Sequence, residues 1–190
     1  EVIIISVAKS MSKIHRLGLL HRDISPDNIM LLEDGSIKLI DFGATRQYAL
    51  NETTDMSVMI KPGFAPMEQY SRTGKQGPWT DVYALAATYY FIVSGKRPLT
   101  AVDRCAGEQQ LSLSSVNSNV PEELSEVIDC ALELDYSVRI QNMEEFVREF
   151  ETAYRCSADI PVDVYPHITM KMHGKTRKWK FMPDKCVTIG

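Results

Sequence analysis

The sequence predicts a mainly α-helical fold with one small β-hairpin and a short β-rich extension at the C-terminus. Apolar residues recur at helical spacing in several segments between residues 1 and 156. Two short apolar runs flank the turn sequence EDGS at residues 33–36, which is the pattern of a hairpin. Beyond residue 160, apolar and polar residues alternate as they do in strands.

The first half of the chain contains one predicted helix, the hairpin and a loop. The helix is predicted over residues 2–17, where apolar side chains share one face and Gly18 can end the helix. The hairpin strands are predicted at Ile29–Leu32 and Ile37–Ile40. Residues 44–62 lack periodicity and predict a long loop, and unstructured loops of that length are usually functional.

The second half of the body contains three more predicted helices. An apolar run at residues 83–93 predicts a core helix that begins at Asp81, with Thr80 as its cap. Residues 95–120 are polar and irregular, and Pro121 suits the start of the next helix. The last helix is marked by four apolar residues, Met143, Phe146, Val147 and Phe150.

Composition excludes several classes of protein. The 190 residues are 44% hydrophobic and 24% charged, which is typical of a globular domain. A net charge of −4 argues against nucleic acid as a partner. No apolar segment reaches the roughly 18–20 residues of a membrane span, and no signal peptide is visible. The four cysteines show no C-x-x-C pairing, so we expect free thiols and a cytoplasmic location.

The chemistry is concentrated in HRDISPDN at residues 21–28 and DFG at residues 41–43. These segments place Asp23, Asn28 and Asp41 on loops at either side of the hairpin. A carboxylate and an amide facing each other suit Mg²⁺, which prefers oxygen ligands and bridges phosphates. Asp23 is then left to orient a hydroxyl. This division of roles is what phosphoryl transfer requires.

HRDISPDN resembles the catalytic loop of protein kinases, and DFG resembles their magnesium motif. Three further matches extend the resemblance over residues 1–156. PGFAPMEQY resembles the segment that closes the activation loop, with Glu68 at the position of its last glutamate. Asp81 resembles the aspartate that holds the catalytic loop, and Arg139 the arginine that pairs with that glutamate.

The resemblance implies a kinase-like C-terminal lobe of a bacterial-type Ser/Thr protein kinase, with ATP and Mg²⁺ as cofactors and protein serines or threonines as acceptors. By position, Asp23 would accept the proton of the substrate hydroxyl, and Asn28 and Asp41 would hold Mg²⁺. Asp27 lies where the family reaches toward the ribose. Met30 would form the floor under the adenine, and simple core filling is the alternative for it.

Two positions depart from the family pattern. Ser25 stands where these kinases usually carry a catalytic-loop lysine, and Lys61 stands where the closing segment usually carries a threonine. We interpret the departures as one exchange, in which Lys61 supplies the charge on the transferred phosphate and Ser25 holds it by a hydrogen bond. The alternative is that Lys61 points to solvent.

The resemblance is also incomplete. No G-x-G-x-x-G loop and no V-A-I-K lysine are found, so we expect the sequence to begin within a kinase domain and this chain alone to be inactive.

Residues 157–167 are predicted to be a linker, and residues 168–190 a β-rich basic tail. The end of the tail, WKFMPDKCVTIG, resembles the start of a forkhead-associated domain, which would bind a phosphopeptide once complete. A plain β extension with a solvated basic face is the alternative.

Two other functions stay open. Small-molecule phosphotransferases of the aminoglycoside or choline kinase type share an H-x-D-x-x-x-x-N loop, but they lack the closing segment. A pseudokinase scaffold without turnover is the second alternative, and intact Asp23, Asn28 and Asp41 argue against it.

Arg22 precedes the catalytic aspartate, which in the family indicates activation by loop phosphorylation. The candidate sites are Thr53, Thr54 and Ser57.

Overall fold

A computed structural model describes residues 2–32, 35–47, 60–71, 73–156, 167–172 and 175–180. The helices in these ranges are α1 (Val2–Arg16), α2 (Pro78–Ser94), α3 (Ala101–Cys105), α4 (Leu113–Val116), α5 (Glu122–Ala131) and α6 (Met143–Cys156). The strands are β1 (Leu19–Leu20), β2 (Ile29–Leu31), β3 (Ile37–Leu39), β4 (Arg46–Gln47), β5 (His167–Met172) and β6 (Lys175–Lys180). The predicted mainly helical fold is confirmed.

Helix α2 forms the centre of the hydrophobic core, and its residues 80–90 are all buried. It begins at Pro78, three residues before the predicted start, because proline fits the first turn of a helix. Thr80 is therefore not the cap. Its hydroxyl accepts a hydrogen bond from the backbone N–H of Gly77 at 3.2 Å. Gly95 ends the helix in the left-handed conformation.

Helices α1, α5 and α6 pack their apolar faces against this core. Helix α1 ends at Arg16, and Gly18 follows with a φ of 76°, as the sequence predicts. In α6, Phe146 and Phe150 are fully buried, and the Phe150 ring meets the Tyr89 ring of α2 edge-on at 5.1 Å. Each such side chain contributes about 1.5–3 kcal/mol through burial.

Strands β2 and β3 form the predicted hairpin, each one residue shorter than expected. Ile29 pairs with Leu39, and Leu31 pairs with Ile37. The expectation that residues 44–62 form loop throughout is wrong at β4, which pairs with β1. The interpretation of residues 95–120 as irregular is also wrong, because α3 and α4 lie there.

Strands β5 and β6 pair antiparallel, with His167 opposite Lys180 and Met172 opposite Lys175. These strands coincide with two of the alternating stretches of the tail, and residues 181–190 lie outside the described residues. Of the four cysteines expected to be free thiols, Cys105 and Cys130 are free, and both are exposed. Among the helices that the structure describes, none is long and apolar enough to cross a bilayer.

Candidate active site

Asp81, at the start of α2, fixes the backbone of the loop that carries the predicted catalytic aspartate. Its fully buried carboxylate accepts the backbone N–H groups of His21 at 2.9 Å and Arg22 at 2.8 Å. It also contacts His15 Nε2 of α1 at 2.7 Å. Gln69 donates to the carbonyl oxygen of Arg22 at 2.8 Å. These contacts hold Arg22 at a φ of 68°, a conformation that non-glycine residues adopt at a cost.

Asp23 follows this fixed backbone, and Asn28 orients it. The Asn28 amide donates to the backbone oxygen of Asp23 at 2.7 Å and to its carboxylate Oδ2 at 2.8 Å. The other carboxylate oxygen, Oδ1, lies 3.3 Å from Lys61 Nζ, and the Asp23 side chain is 16% exposed. Asp23 thus presents one oriented carboxylate at the protein surface.

The structure brings the two exchanged positions into contact. Lys61 Nζ donates to the Ser25 hydroxyl at 2.9 Å, and Ser25 is fully buried. The ammonium also lies 3.9 Å from the Asp27 carboxylate. The Lys61 side chain therefore turns toward the loop at residues 21–28. The alternative that Lys61 points to solvent is wrong.

Asn28 and Asp41 lie at the same end of the β2–β3 hairpin. The Asn28 carbonyl accepts from the Ile40 N–H at 2.9 Å, which continues the strand pairing by one step, and Asp41 follows directly. Asp41 is exposed and left-handed, with a φ of 62°, and its carboxylate accepts from the Gly43 N–H at 3.1 Å. The chain turns sharply here and leaves the Asp41 side chain accessible.

The oxygen donors at this end suit a hard cation. Because the Asn28 nitrogen is used toward Asp23, its amide oxygen is the atom left to bind a metal. In the part of the chain that the structure describes, no group of three or more His, Cys, Asp or Glu side chains has the arrangement of a metal site. Mg²⁺ is commonly held by one or two carboxylates plus substrate phosphates, so an Asn–Asp pair fits it.

The two residues assigned to the nucleotide lie at the surface. Met30 of β2 is 43% exposed, so core filling does not explain it. Asp27 precedes Asn28 on the same short 3₁₀ turn, and the Asp27 side chain is 83% exposed. Both side chains are accessible to a ligand.

His21 is a buried, neutral histidine. Its ring meets the Phe42 ring at 4.7 Å with an interplanar angle of 61°, and its Nδ1 accepts from the Asp23 N–H at 3.3 Å. Burial lowers the pKa of His21 below its usual 6.5, although Asp81 and Asp23 oppose that shift. This histidine therefore supports the loop and the Phe42 ring.

We predict that the His21 imidazole titrates below pH 6.5 in the folded protein. The unfolded chain then binds more protons than the native state in acid, so this group lowers the free energy of unfolding as the pH falls below 6.5. The imidazole chemical shift followed by NMR against pH measures it directly. A midpoint at or above 6.5 would contradict the assignment.

A buried ion pair anchors the segment that follows Lys61. Arg139 contacts Glu68 with both guanidinium nitrogens, Nη1 to Oε1 at 2.7 Å and Nη2 to Oε2 at 3.2 Å. Thr80 donates to the same carboxylate at 3.1 Å. Arg139 Nε also donates to the Glu133 carbonyl at 2.8 Å. The predicted Glu68–Arg139 pair is confirmed.

Two residues of the site did not emerge from the sequence. Gln69 supports the loop at residues 21–28 by donating to the Arg22 carbonyl oxygen, and no local pattern indicates such a contact. The sequence could have indicated His15, because it lies four residues after Met11 and therefore on the buried face of α1.

The proposed phosphorylation sites Thr53, Thr54 and Ser57 lie outside the described residues.

The chain is similar to known proteins. A family model described as "Protein kinase domain" matches residues 1–150. The serine/threonine-protein kinase PknL of Mycobacterium tuberculosis is 31% identical over 137 residues, covering 66% of this chain and 33% of the relative. The serine/threonine-protein kinase F of Synechocystis is 36% identical over 133 residues, covering 67% of this chain and 26% of the relative.

A solved structure described as "PpkA-294 apo form" superposes with a TM-score of 0.64 at 34% identity. The match covers 76% of this chain and 51% of the solved one. The chain thus spans about half the length of that structure and 33% and 26% of the two curated relatives.

Proposed function

We propose that this chain, which belongs to the protein kinase domain family, serves the transfer of the γ-phosphate of ATP to serine and threonine hydroxyls of protein substrates. In this step the hydroxyl oxygen bonds to the γ-phosphorus, and the bond to the β–γ bridging oxygen breaks. ADP leaves, and the hydroxyl proton passes to Asp23.

The observation that carries the proposal is the orientation of Asp23. Two hydrogen bonds from Asn28, at 2.7 and 2.8 Å, fix both its backbone and its carboxylate. A carboxylate held in one position can accept the proton of a hydroxyl placed in line with a phosphate. Catalysis of phosphoryl transfer depends mainly on such positioning and on charge neutralisation.

Asn28 and Asp41 would hold Mg²⁺ at the open end of the hairpin. The ion supplies neutralisation of the phosphate charge when bound. Asp27 would face the ribose, and Met30 would present its apolar side chain to the adenine ring. The exposure of both side chains supports these roles.

We further propose that residues 1–156 are the C-terminal lobe of the kinase domain. The family covers the phosphates with a glycine-rich loop and contacts them with a strand lysine, and neither motif occurs in the 190-residue sequence. Activity then belongs to the intact protein, meaning this chain together with a segment that carries both motifs. For residues 168–190 we propose the start of a phosphothreonine-binding forkhead-associated domain, on the resemblance alone.

A binding experiment tests the nucleotide and Mg²⁺ part of the proposal. Thermal unfolding of the intact protein is followed with ATP, with and without Mg²⁺. We expect ATP to raise the unfolding midpoint substantially more with Mg²⁺ than without it, because a ligand that binds only the native state stabilises it. Asp41→Asn should remove the Mg²⁺-dependent part. A midpoint that does not respond to ATP would contradict the kinase function.

The lobe assignment gives a second prediction. Residues 1–190 alone should transfer no phosphate from ATP to a generic basic protein, because the phosphate-covering loop and its lysine are missing from the sequence. Incorporation of ³²P from labelled ATP measures this, with the intact protein as the positive control. Steady incorporation by the 190-residue chain would show that the lobe assignment is wrong.

A further inference from the structure

We infer that Lys61 is a catalytic residue that contacts the transferred phosphate, and that Ser25 is the positioning residue that holds it there. The inference rests on the proposed kinase function and deepens it. It assigns the cation of the catalytic site to the segment after residue 60, since the loop at residues 21–28 contains no lysine.

The hydroxyl of Ser25 is used for Lys61 and not for its local backbone. Ser25 occupies the cap position before the 3₁₀ turn Pro26–Asn28, where a serine side chain commonly accepts a backbone N–H. No such cap bond is made here. The Asn28 N–H is instead satisfied by the Ser25 carbonyl oxygen at 3.0 Å. The buried hydroxyl accepts from the Lys61 ammonium at 2.9 Å.

The ammonium lies beside the proposed base. It is 3.3 Å from Asp23 Oδ1, and the Lys61 side chain is 30% exposed, so the charge is accessible at the mouth of the site. An ammonium has three N–H donors. One meets Ser25 and one faces Asp23, which leaves one for a phosphate oxygen.

The backbone of Lys61 is fixed as well. Its carbonyl accepts the N–H groups of Phe64 at 3.1 Å and Ala65 at 3.0 Å. Gly63 makes this turn with a φ of 85°, and a Cβ there would lie 2.7 Å from the Pro98 carbonyl oxygen. Only glycine fits both the conformation and the space. The lysine side chain therefore starts from a defined point.

Charge explains why a cation is needed at this place. The Asp23 carboxylate and the phosphate that approaches it are both negative and repel each other. A fixed positive group between them offsets the repulsion and stabilises the charge that moves during transfer. A flexible four-carbon stem lets lysine reach this position from the neighbouring segment.

Three variants of the intact protein test the inference by activity: Lys61→Met, Ser25→Lys, and the double exchange Ser25→Lys with Lys61→Thr. We expect Lys61→Met to lower kcat by about 10²- to 10³-fold, as the loss of one transition-state donor does elsewhere. The double exchange should recover at least about tenfold of that loss, because groups in contact are non-additive. Near-wild-type kcat in Lys61→Met would overturn the inference.

Ser25→Ala separates positioning from folding. It removes only the hydroxyl that holds the ammonium, so kcat should fall while the peptide KM and the unfolding midpoint stay near wild-type values. A lower midpoint with unchanged kcat would assign Ser25 a structural role alone.

A chemical readout tests the phosphate contact without turnover. The intact protein, without acceptor, is treated with an amine-reactive acetylating reagent, and each lysine is followed by mass spectrometry. We expect ATP with Mg²⁺ to slow acetylation of Lys61 several-fold and ADP with Mg²⁺ to have little effect. Lys9, 61% exposed on α1 and paired with Glu151, is the control and should label equally throughout.

The outcomes separate this inference from the kinase function. If the wild-type protein transfers no phosphate and binds no ATP, the proposed function fails. If the wild-type protein is active but Lys61→Met is equally active, or ATP and ADP protect Lys61 alike, only the role of Lys61 fails.

Discussion

Asp23→Asn in the intact protein should lower kcat for phosphate transfer by about 10²- to 10⁴-fold, the usual contribution of a general base. Asparagine has nearly the same shape, and its side-chain oxygen can still accept the Asn28 amide, but it cannot take a proton from the substrate hydroxyl. Steady-state kinetics with a serine-containing peptide measure the effect. The KM for ATP should change little, because Asp23 is assigned no contact with the nucleotide.

A surface change provides the control for this variant. Glu149→Gln also removes one carboxylate charge, in an exposed ion pair with Arg148 on α6. Its kcat should equal that of the wild type within about twofold, since exposed pairs contribute little. Equal activity in Asp23→Asn and Glu149→Gln would mean that Asp23 is not the base.

The second large effect is on stability. Arg139→Met should lower the free energy of unfolding of the 190-residue chain by about 3–5 kcal/mol, because it leaves the Glu68 carboxylate buried without its partner. The side chains of this pair are 0% and 3% exposed, and the arginine also donates to three backbone carbonyls, those of Glu133, Leu134 and Trp79. Urea denaturation at neutral pH gives the value.

The pair between Arg16 and Glu144 provides a matched control. The side chains there are 72% and 49% exposed, so Arg16→Met should cost no more than about 1 kcal/mol. If Arg139→Met and Arg16→Met lower the free energy of unfolding equally, the buried pair does not anchor the closing segment. Glu68→Gln tests the same contact from the other partner and should also destabilise the chain.

The parts of this molecule that follow from local pattern could be predicted from its sequence. The helical spacing in α1 and the turn between β2 and β3 place those elements to within a residue or so. The side chains of HRDISPDN are close in sequence, so the contact between Asp23 and Asn28 follows from the loop itself. The Ser25–Lys61 contact was predicted because two departures from one family pattern were considered together.

Other features depend on contacts between distant segments, which a local pattern does not contain. The β1–β4 pair has two residues in each strand, too few for alternation to be visible. Gln69 donates a hydrogen bond to the backbone carbonyl of Arg22. Every residue has a backbone carbonyl, so the sequence does not indicate which one is contacted. The start of α2 was placed too late because Thr80 resembles a cap, whereas Gly77 and Pro78 set the actual boundary.

We propose that this site directs phosphate from ATP to protein hydroxyl groups, and the identity of the phosphorylated product decides that proposal. The intact protein is incubated with ATP, Mg²⁺ and a mixture of serine-, threonine- and tyrosine-containing peptides, together with an aminoglycoside and choline. Mass spectrometry then locates the phosphate on each product. Asp23→Asn is run in parallel.

We expect phosphoserine and phosphothreonine peptides from the wild-type protein and at least about 100-fold less from Asp23→Asn. Phosphate on the aminoglycoside or choline alone would identify a small-molecule phosphotransferase. ATP binding without any phosphorylated product would identify a scaffold, and either result would show that the protein is not a protein kinase.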